Sequence, residues 1–234
     1  VPDPLFRSYP DTPHPCVAQG FAFLFDLDGV VIDSMPLHTD AWRIYLERQG
    51  IFSDDIARQM HGRRNDEIVS ALFGAHLTPA EVFQHGAAKE ALFRELMTPQ
   101  LELQLVPGVV PFLRRCADVP TALGSNAEPK NIDFVLDGAG IRASFDAIVD
   151  GHQVTRAKPC PDIYLRAAEL LGVPPRHCIV FEDSPAGIQA GRDAGALVVG
   201  VQTYPGELPP VDLLIRDFTD EALMPWLQSR ALRS

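Results

Sequence analysis

Residues 21–30 read Phe21-Ala22-Phe23-Leu24-Phe25-Asp26-Leu27-Asp28-Gly29-Val30. A short apolar run rich in phenylalanine is the pattern of a buried strand, and it stops abruptly at two carboxylates one residue apart, followed by glycine. In an open α/β sheet ligands bind beyond the carboxyl ends of the strands, so Asp26 and Asp28 can converge on one small space there. Gly29 allows the backbone an unusual turn. Such a pair can hold a cation, attack a substrate or move a proton. Taken alone, Asp-Leu-Asp-Gly would be read as an ordinary turn, since Asp and Gly are common turn residues.

The rest of the chain changes that balance. From Val106 onward, helices alternate with short apolar strands. Strands are expected at 120–124, 146–149, 178–181, 197–201 and 212–215. Helices are expected from Pro107-Gly108 to Cys116 and over 129–137, 161–171, 185–193 and 219–227. Strand and helix in strict turn imply a parallel sheet with right-handed crossovers, covered on both faces. Between Ser34 and Gln104 the pattern is helical throughout. Leu37, Ala41, Trp42, Tyr45 and Leu46 share one helix face, and Asn65 to Phe73 repeats the pattern. Thr78-Pro79-Ala80-Glu81 has the form of a capping box opening a helix to about Met97. The expected fold is α/β, a doubly wound parallel sheet with a small helical domain inserted after the first strand. Residues 1–19, with prolines at 2, 4, 10, 13 and 15, read as an extended arm. Residues 20–33 and 106–234 form the core, and 34–105 the inserted cap.

Composition bounds the function. With 46% hydrophobic and 22% charged residues in 234, the chain is that of an ordinary globular protein. A formal charge of −11 argues against a nucleic-acid binder, because a phosphate backbone would be repelled over most of the surface. A small phosphorylated metabolite needs only a local positive site. No apolar run is long enough to cross a bilayer. The four cysteines, Cys16, Cys116, Cys160 and Cys178, lie far apart with no C-x-x-C pair and read as ordinary thiols of a reduced, cytoplasmic protein. His14 and Cys16 alone are a weak metal signal. A monomer is expected, with neither nucleic acid nor membrane as partner.

Three later strands end in suggestive residues. The strand at 120–124 runs into Ser125-Asn126 before a helix, where a hydroxyl and backbone N–H groups can bind phosphate or simply cap the helix. Lys158, flanked by Pro159 and Pro161, is held rather than waving in solvent. The strand at 178–181 ends in Glu182-Asp183-Ser184-Pro185, a second acidic pair, whose plainer role is to complement a helix N-terminus. Two acidic strand ends meeting in space call for a cation. Hard oxygen ligands without a His or Cys set point to Mg²⁺.

In this order the motifs resemble those of the haloacid dehalogenase superfamily. More narrowly, Asp33-Ser34, Pro36-Leu37-His38, Ala41-Trp42, Lys158-Pro159-x-Pro161-Asp162 and Glu182-Asp183-Ser184-x-Ala186-Gly187 resemble its β-phosphoglucomutase-like branch, over roughly residues 20 to 230. The resemblance implies a Rossmann-like core with a helical cap and phosphoryl transfer through an aspartyl-phosphate. It makes Asp26 the nucleophile and a Mg²⁺ ligand. Asp28 becomes the general acid/base, with its backbone carbonyl also on the metal. Asp183 is the principal later ligand and Glu182 supports the metal site. Ser125 and Asn126 bind phosphate, and Lys158 balances charge.

The cap decides whether water or a sugar hydroxyl takes the phosphoryl group. In β-phosphoglucomutases it supplies a lysine before a glycine and an arginine shortly after. Here the stretch is Met60-His61-Gly62-Arg63-Arg64-Asn65, with His61 and Asn65 at those two positions and Arg63 and Arg64 between them. Losing two cations weakens a second anion site unless Arg63 or Arg64 replaces them. A Mg²⁺-dependent phosphatase for a small sugar phosphate or related metabolite therefore ranks first and β-phosphoglucomutase second, with His38 fitting either. A non-catalytic metabolite-binding protein would have no reason to keep both Asp26 and Asp28. A dehydrogenase lacks its G-x-G-x-x-G loop.

Overall fold

The computed structural model describes residues 16–52, 56, 65–74 and 76–231. Six parallel strands form one sheet: β1 (Ala22–Phe25), β2 (Thr121–Ser125), β3 (Ala147–Asp150), β4 (Cys178–Glu182), β5 (Leu197–Val201) and β6 (Leu213–Ile215), in the order β3-β2-β1-β4-β5-β6. The helices are α1 (Met35–Arg48), α2 (Asn65–Phe73), α3 (Pro79–Met97), the single turn α4 (Leu101–Gln104), α5 (Val109–Arg115), α6 (Pro129–Gly138), α7 (Asp162–Leu171), α8 (Pro185–Asp193) and α9 (Leu223–Ala231). The sheet is doubly wound and Rossmann-like, and its order reverses at β1.

β1 is central because it is apolar on both faces. Phe23 and Phe25 join Phe112, Phe181 and Phe218 on one side, with Phe25 and Phe181 stacked at 4.6 Å. Ala22 and Leu24 face the other side, against Ala122, Val180, Ile163 and Tyr164. Side chains alternate along a strand, so with Phe25 on the first side Asp26 turns toward the layer that holds Tyr164.

The inserted helices form as their sequence dictates. Thr78 Oγ1 accepts from the Glu81 N–H at 3.3 Å, and Glu81 Oε2 accepts from the Thr78 N–H at 2.8 Å, closing the capping box. Among the described residues of this insert no strand is formed. Ser34 precedes α1 without capping it, because its hydroxyl is drawn to Asp28 Oδ1 at 2.5 Å.

Two expectations are corrected. The last helix begins at Leu223 rather than 219. Asp217 Oδ1 takes the Thr219 N–H and Asp220 Oδ1 the Ala222 N–H, and these side-chain bonds hold the chain in turns first. Second, Cys16 and Cys116 form a disulfide, with Cα atoms 5.6 Å apart at a sequence separation of 100. Cys160 and Cys178 remain free. The end of the N-terminal arm is therefore fastened beside the end of α5, with Cys16 and Val17 buried. Chain entropy gives a loop of that length roughly 4–5 kcal/mol of stabilisation. Reduction is expected to lower Tm by about 8–20 °C. A Cys16→Ser/Cys116→Ser double variant should melt at one temperature with or without reductant. Four reactive thiols in the unreduced, denatured protein would contradict the bond.

Candidate active site

Register brings the acids together. Phe25 pairs with Phe181, so the next residues along each strand, Asp26 and Glu182, emerge side by side, and Asp183 follows one residue on. Carboxylate oxygens of Asp26, Glu182 and Asp183 lie within 4.8 Å of one another, all three residues buried. Lys158, on the loop after β3, places its ammonium 2.8 Å from Asp26 Oδ1 and 2.7 Å from Glu182 Oε1. Its peptide bond to Pro159 is cis.

Glu182 is saturated by the protein. Oε1 accepts from Lys158 and from the Tyr164 hydroxyl at 2.8 Å. Oε2 accepts from the Asp183 and Ser184 N–H groups and the Ser184 hydroxyl at 3.0, 3.1 and 3.0 Å. Asp26 is less satisfied. The Lys158 contact is an ion pair without hydrogen-bond alignment, so buried Oδ1 keeps a lone pair for a cation. Burial, opposed by Lys158 and reinforced by the Glu182 and Asp28 charges, pushes the Asp26 carboxyl up to about 7. Burial and the Glu182 and Asp26 charges push Asp183 up to about 9. This crowding of acid groups is relieved by protons or by a divalent cation, and hard oxygen donors suit the latter.

Ser125 ends β2 fully buried, and its Oγ accepts the Ala127 N–H at 3.1 Å, which leaves its own proton to point at an anion. Asn126 is exposed, and its Oδ1 accepts the Lys158 N–H at 3.4 Å, bracing the lysine loop. Burial would raise the Asp28 carboxyl, but hydrogen bonding and charge from His38 and the Ser34 hydroxyl hold it below its ordinary value. Lys158 stays charged: burial alone would lower it, and Asp26 and Glu182 raise it.

His38 leads to a buried polar chain absent from the sequence reading. Its Nε2 is 3.8 Å from Asp28 Oδ1, its ring stacks on Phe93 at 3.8 Å, and its Nδ1 is 2.7 Å from Lys89 Nζ. Lys89 also donates to Glu90 Oε1 at 2.8 Å, where the Asn65 amide donates at 2.6 Å. Glu90 Oε2 accepts from Asn131 of α6 at 2.7 Å, and Asn131 Oδ1 accepts from Arg94 at 2.6 Å. Burial opposes the Glu90 charge, yet Lys89 and His38 bring its carboxyl down to about 2. Asn131 of the core thus binds α3 of the insert through both ends of its amide. The available signal was the spacing Lys89, Phe93, Met97, which puts a charge on the buried stripe of α3. Of the cap candidates, Asn65 faces Glu90, while His61, Arg63 and Arg64 lie outside the described residues.

A doubly wound sheet with a buried aspartate at its switch point, a paired lysine and a second acidic strand end fits a class of phosphate-handling hydrolase. The sequence model of haloacid dehalogenase-like hydrolases matches residues 22–195, and the chain belongs to that family. It is similar to a fructose-1-phosphate phosphatase of Escherichia coli, 35% identical over 76% of this chain and 95% of the relative. It is also similar to a β-phosphoglucomutase of Bacillus subtilis, 32% identical over 86% and 92%. A solved haloacid dehalogenase hydrolase of family IA, variant 3, from Entamoeba histolytica superposes with a TM-score of 0.79 at 26% identity, over 88% of this chain and 98% of that one. The chain is an enzyme of the phosphatase and phosphomutase branch. Among the described residues no helix is long and apolar enough to cross a membrane.

Proposed function

We propose that this enzyme is a Mg²⁺-dependent phosphatase of a small sugar or polyol phosphate, working through a phosphorylated Asp26. The observation behind the reading is the buried Asp26 oxygen, 2.8 Å from Lys158 and one strand over from a second acidic pair. Asp26 and Asp183 would hold Mg²⁺, with the Asp28 carbonyl as the resemblance implies. Glu182 stands behind them, its oxygens already spent on Lys158, Tyr164 and the start of α8. The ion, when bound, offsets the charge of the phosphate and of the two carboxylates.

The residues divide the work. Ser125 and Lys158 seat the phosphate oxygens. Asp26 attacks phosphorus as the bond to the sugar oxygen breaks, and Asp28 supplies that oxygen's proton. Asp28 is held ionised in the substrate-free arrangement, so the arriving phosphate charge must first raise it. The ionised form then takes a proton from water, which attacks the phosphorus and frees Asp26. A panel of sugar and polyol phosphates, fructose 1-phosphate included, tests this by inorganic phosphate release with Mg²⁺ and with EDTA. No release from any member would overturn the reading.

The likeness to β-phosphoglucomutase favours a second reading. β-Glucose 1-phosphate primed with glucose 1,6-bisphosphate separates the two, since a mutase makes glucose 6-phosphate without matching phosphate.

Titration gives an independent prediction. Asp26 and Asp183 titrate near 3.8 when unfolded and near 7 and 9 in the cation-free fold. The fold holds the extra protons, so their contribution to stability is full below about pH 4 and is lost as pH rises through 7 to 9. Mg²⁺ competes with those protons, and its stabilising effect should grow with pH. Thermal melts in EDTA and in Mg²⁺ at pH 5.5 and 8.5 check this, with the larger gain in Tm expected at 8.5.

A further inference from the structure

We infer that Thr203 is a positioning residue for the cation site, one that fixes Asp183 without itself binding the metal. The inference rests on the proposed Mg²⁺ site. Thr203 lies on the loop after β5, two residues beyond the strand, and no sequence motif marks it. Its hydroxyl donates to the Gly29 carbonyl at 2.6 Å and approaches Asp183 Oδ2 at 3.2 Å. One proton shared between a short and a longer arm serves both acceptors. The loops after β1, β4 and β5 thereby meet at one side chain.

Among the described residues the Asp183 carboxylate has little other support. Its carboxylate also lies against Gly29, whose φ is +78° and whose missing Cβ would overlap Oδ2, the oxygen that Thr203 approaches. Glycine here gives room, not a bond. The Asp183 backbone N–H is already committed to Glu182 Oε2. Thr203 therefore supplies the side-chain hydrogen bond that selects the rotamer of the Asp183 carboxylate, and it ties that choice to the backbone beside Asp28. A ligand held this way meets a cation already oriented; without the hydroxyl it must be ordered at the moment of binding. Hydrogen-bond partners behind a metal ligand commonly change metal affinity by about 10–100-fold.

The test is Mg²⁺ binding by calorimetry on the substrate-free protein, comparing the parent with Asp183→Asn, Thr203→Val and Thr203→Ser. Valine keeps the shape and removes only the hydroxyl. Thr203→Val is expected to weaken Mg²⁺ by about 10–100-fold. Its Tm in EDTA should stay within a few degrees of the parent's, and Thr203→Ser should bind within about threefold of the parent. Parent-like affinity in Thr203→Val, while Asp183→Asn has lost binding, would overturn the role of Thr203 and leave the metal site standing. Equal loss in the valine and serine variants would also overturn it, because the hydroxyl would then not be the cause. No binding by the parent would overturn the site itself and this inference with it.

Discussion

Asp26→Asn is expected to abolish phosphate release, by roughly four orders of magnitude or more, in a protein that folds as well as its parent. The amide keeps the shape and loses the nucleophile. The stability half of this expectation follows from the same electrostatics. Burial and two neighbouring carboxylates disfavour the Asp26 charge more than Lys158 favours it, which is why its carboxyl is pushed up to about 7. A neutral side chain there removes a repelled charge. In EDTA at pH 8 the variant should melt no lower than the parent, while its affinity for Mg²⁺ falls. Turnover within tenfold of the parent would mean that another group attacks phosphorus. A large drop in Tm would mean that the Lys158 pairing outweighs the repulsion.

Lys158→Met is expected to damage both stability and activity. The lysine side chain is 4% exposed and sits between Asp26 and a Glu182 side chain that is wholly buried, so solvent screens neither contact. Removing one partner of a buried ion pair costs roughly 3–5 kcal/mol, because the carboxylates stay behind unpaired. At this chain length that corresponds to a fall in Tm of about 6–20 °C. Loss of a cation aimed at the transferred phosphoryl group should lower kcat by about 10²–10³. Thermal melts at pH 8 and steady-state rates in saturating Mg²⁺ read the two effects separately. Added Mg²⁺ should recover part of the stability, since it supplies positive charge to the same acids, and none of the lysine's contact with the phosphate. Unchanged Tm would show that Glu182 is satisfied by Tyr164 and the α8 backbone alone.

Much of the site was legible because its residues stand at strand ends, and strand ends are local features. An apolar run stopping at Asp26, another at Ser125 and a third at Glu182 each announce themselves within about ten residues. The capping box at Thr78 is equally local. The last helix starts four residues later than periodicity predicts because Asp217 and Asp220 bind backbone N–H groups that periodicity alone assigns to a helix. Lys89 and Glu90 passed unnoticed because adjacent opposite charges on a helix ordinarily face solvent. Both are buried here only because α1 and α6 bring His38 and Asn131 against them.

By itself the sequence determined the alternation of strands and helices, the helical insert and the residue types able to move a phosphoryl group. Those follow from periods of two and 3.6 and from turn chemistry, which act between near neighbours. Tertiary structure alone decided which of those residues meet. The pairing of Phe25 with Phe181 sets Asp26 beside Glu182, and Lys158 then finds both. Cys16 and Cys116 join across 100 residues, and Thr203 reaches Gly29 across 174. Contacts at such separations depend on strand register and on the packing of whole layers, and no window along the chain contains that information.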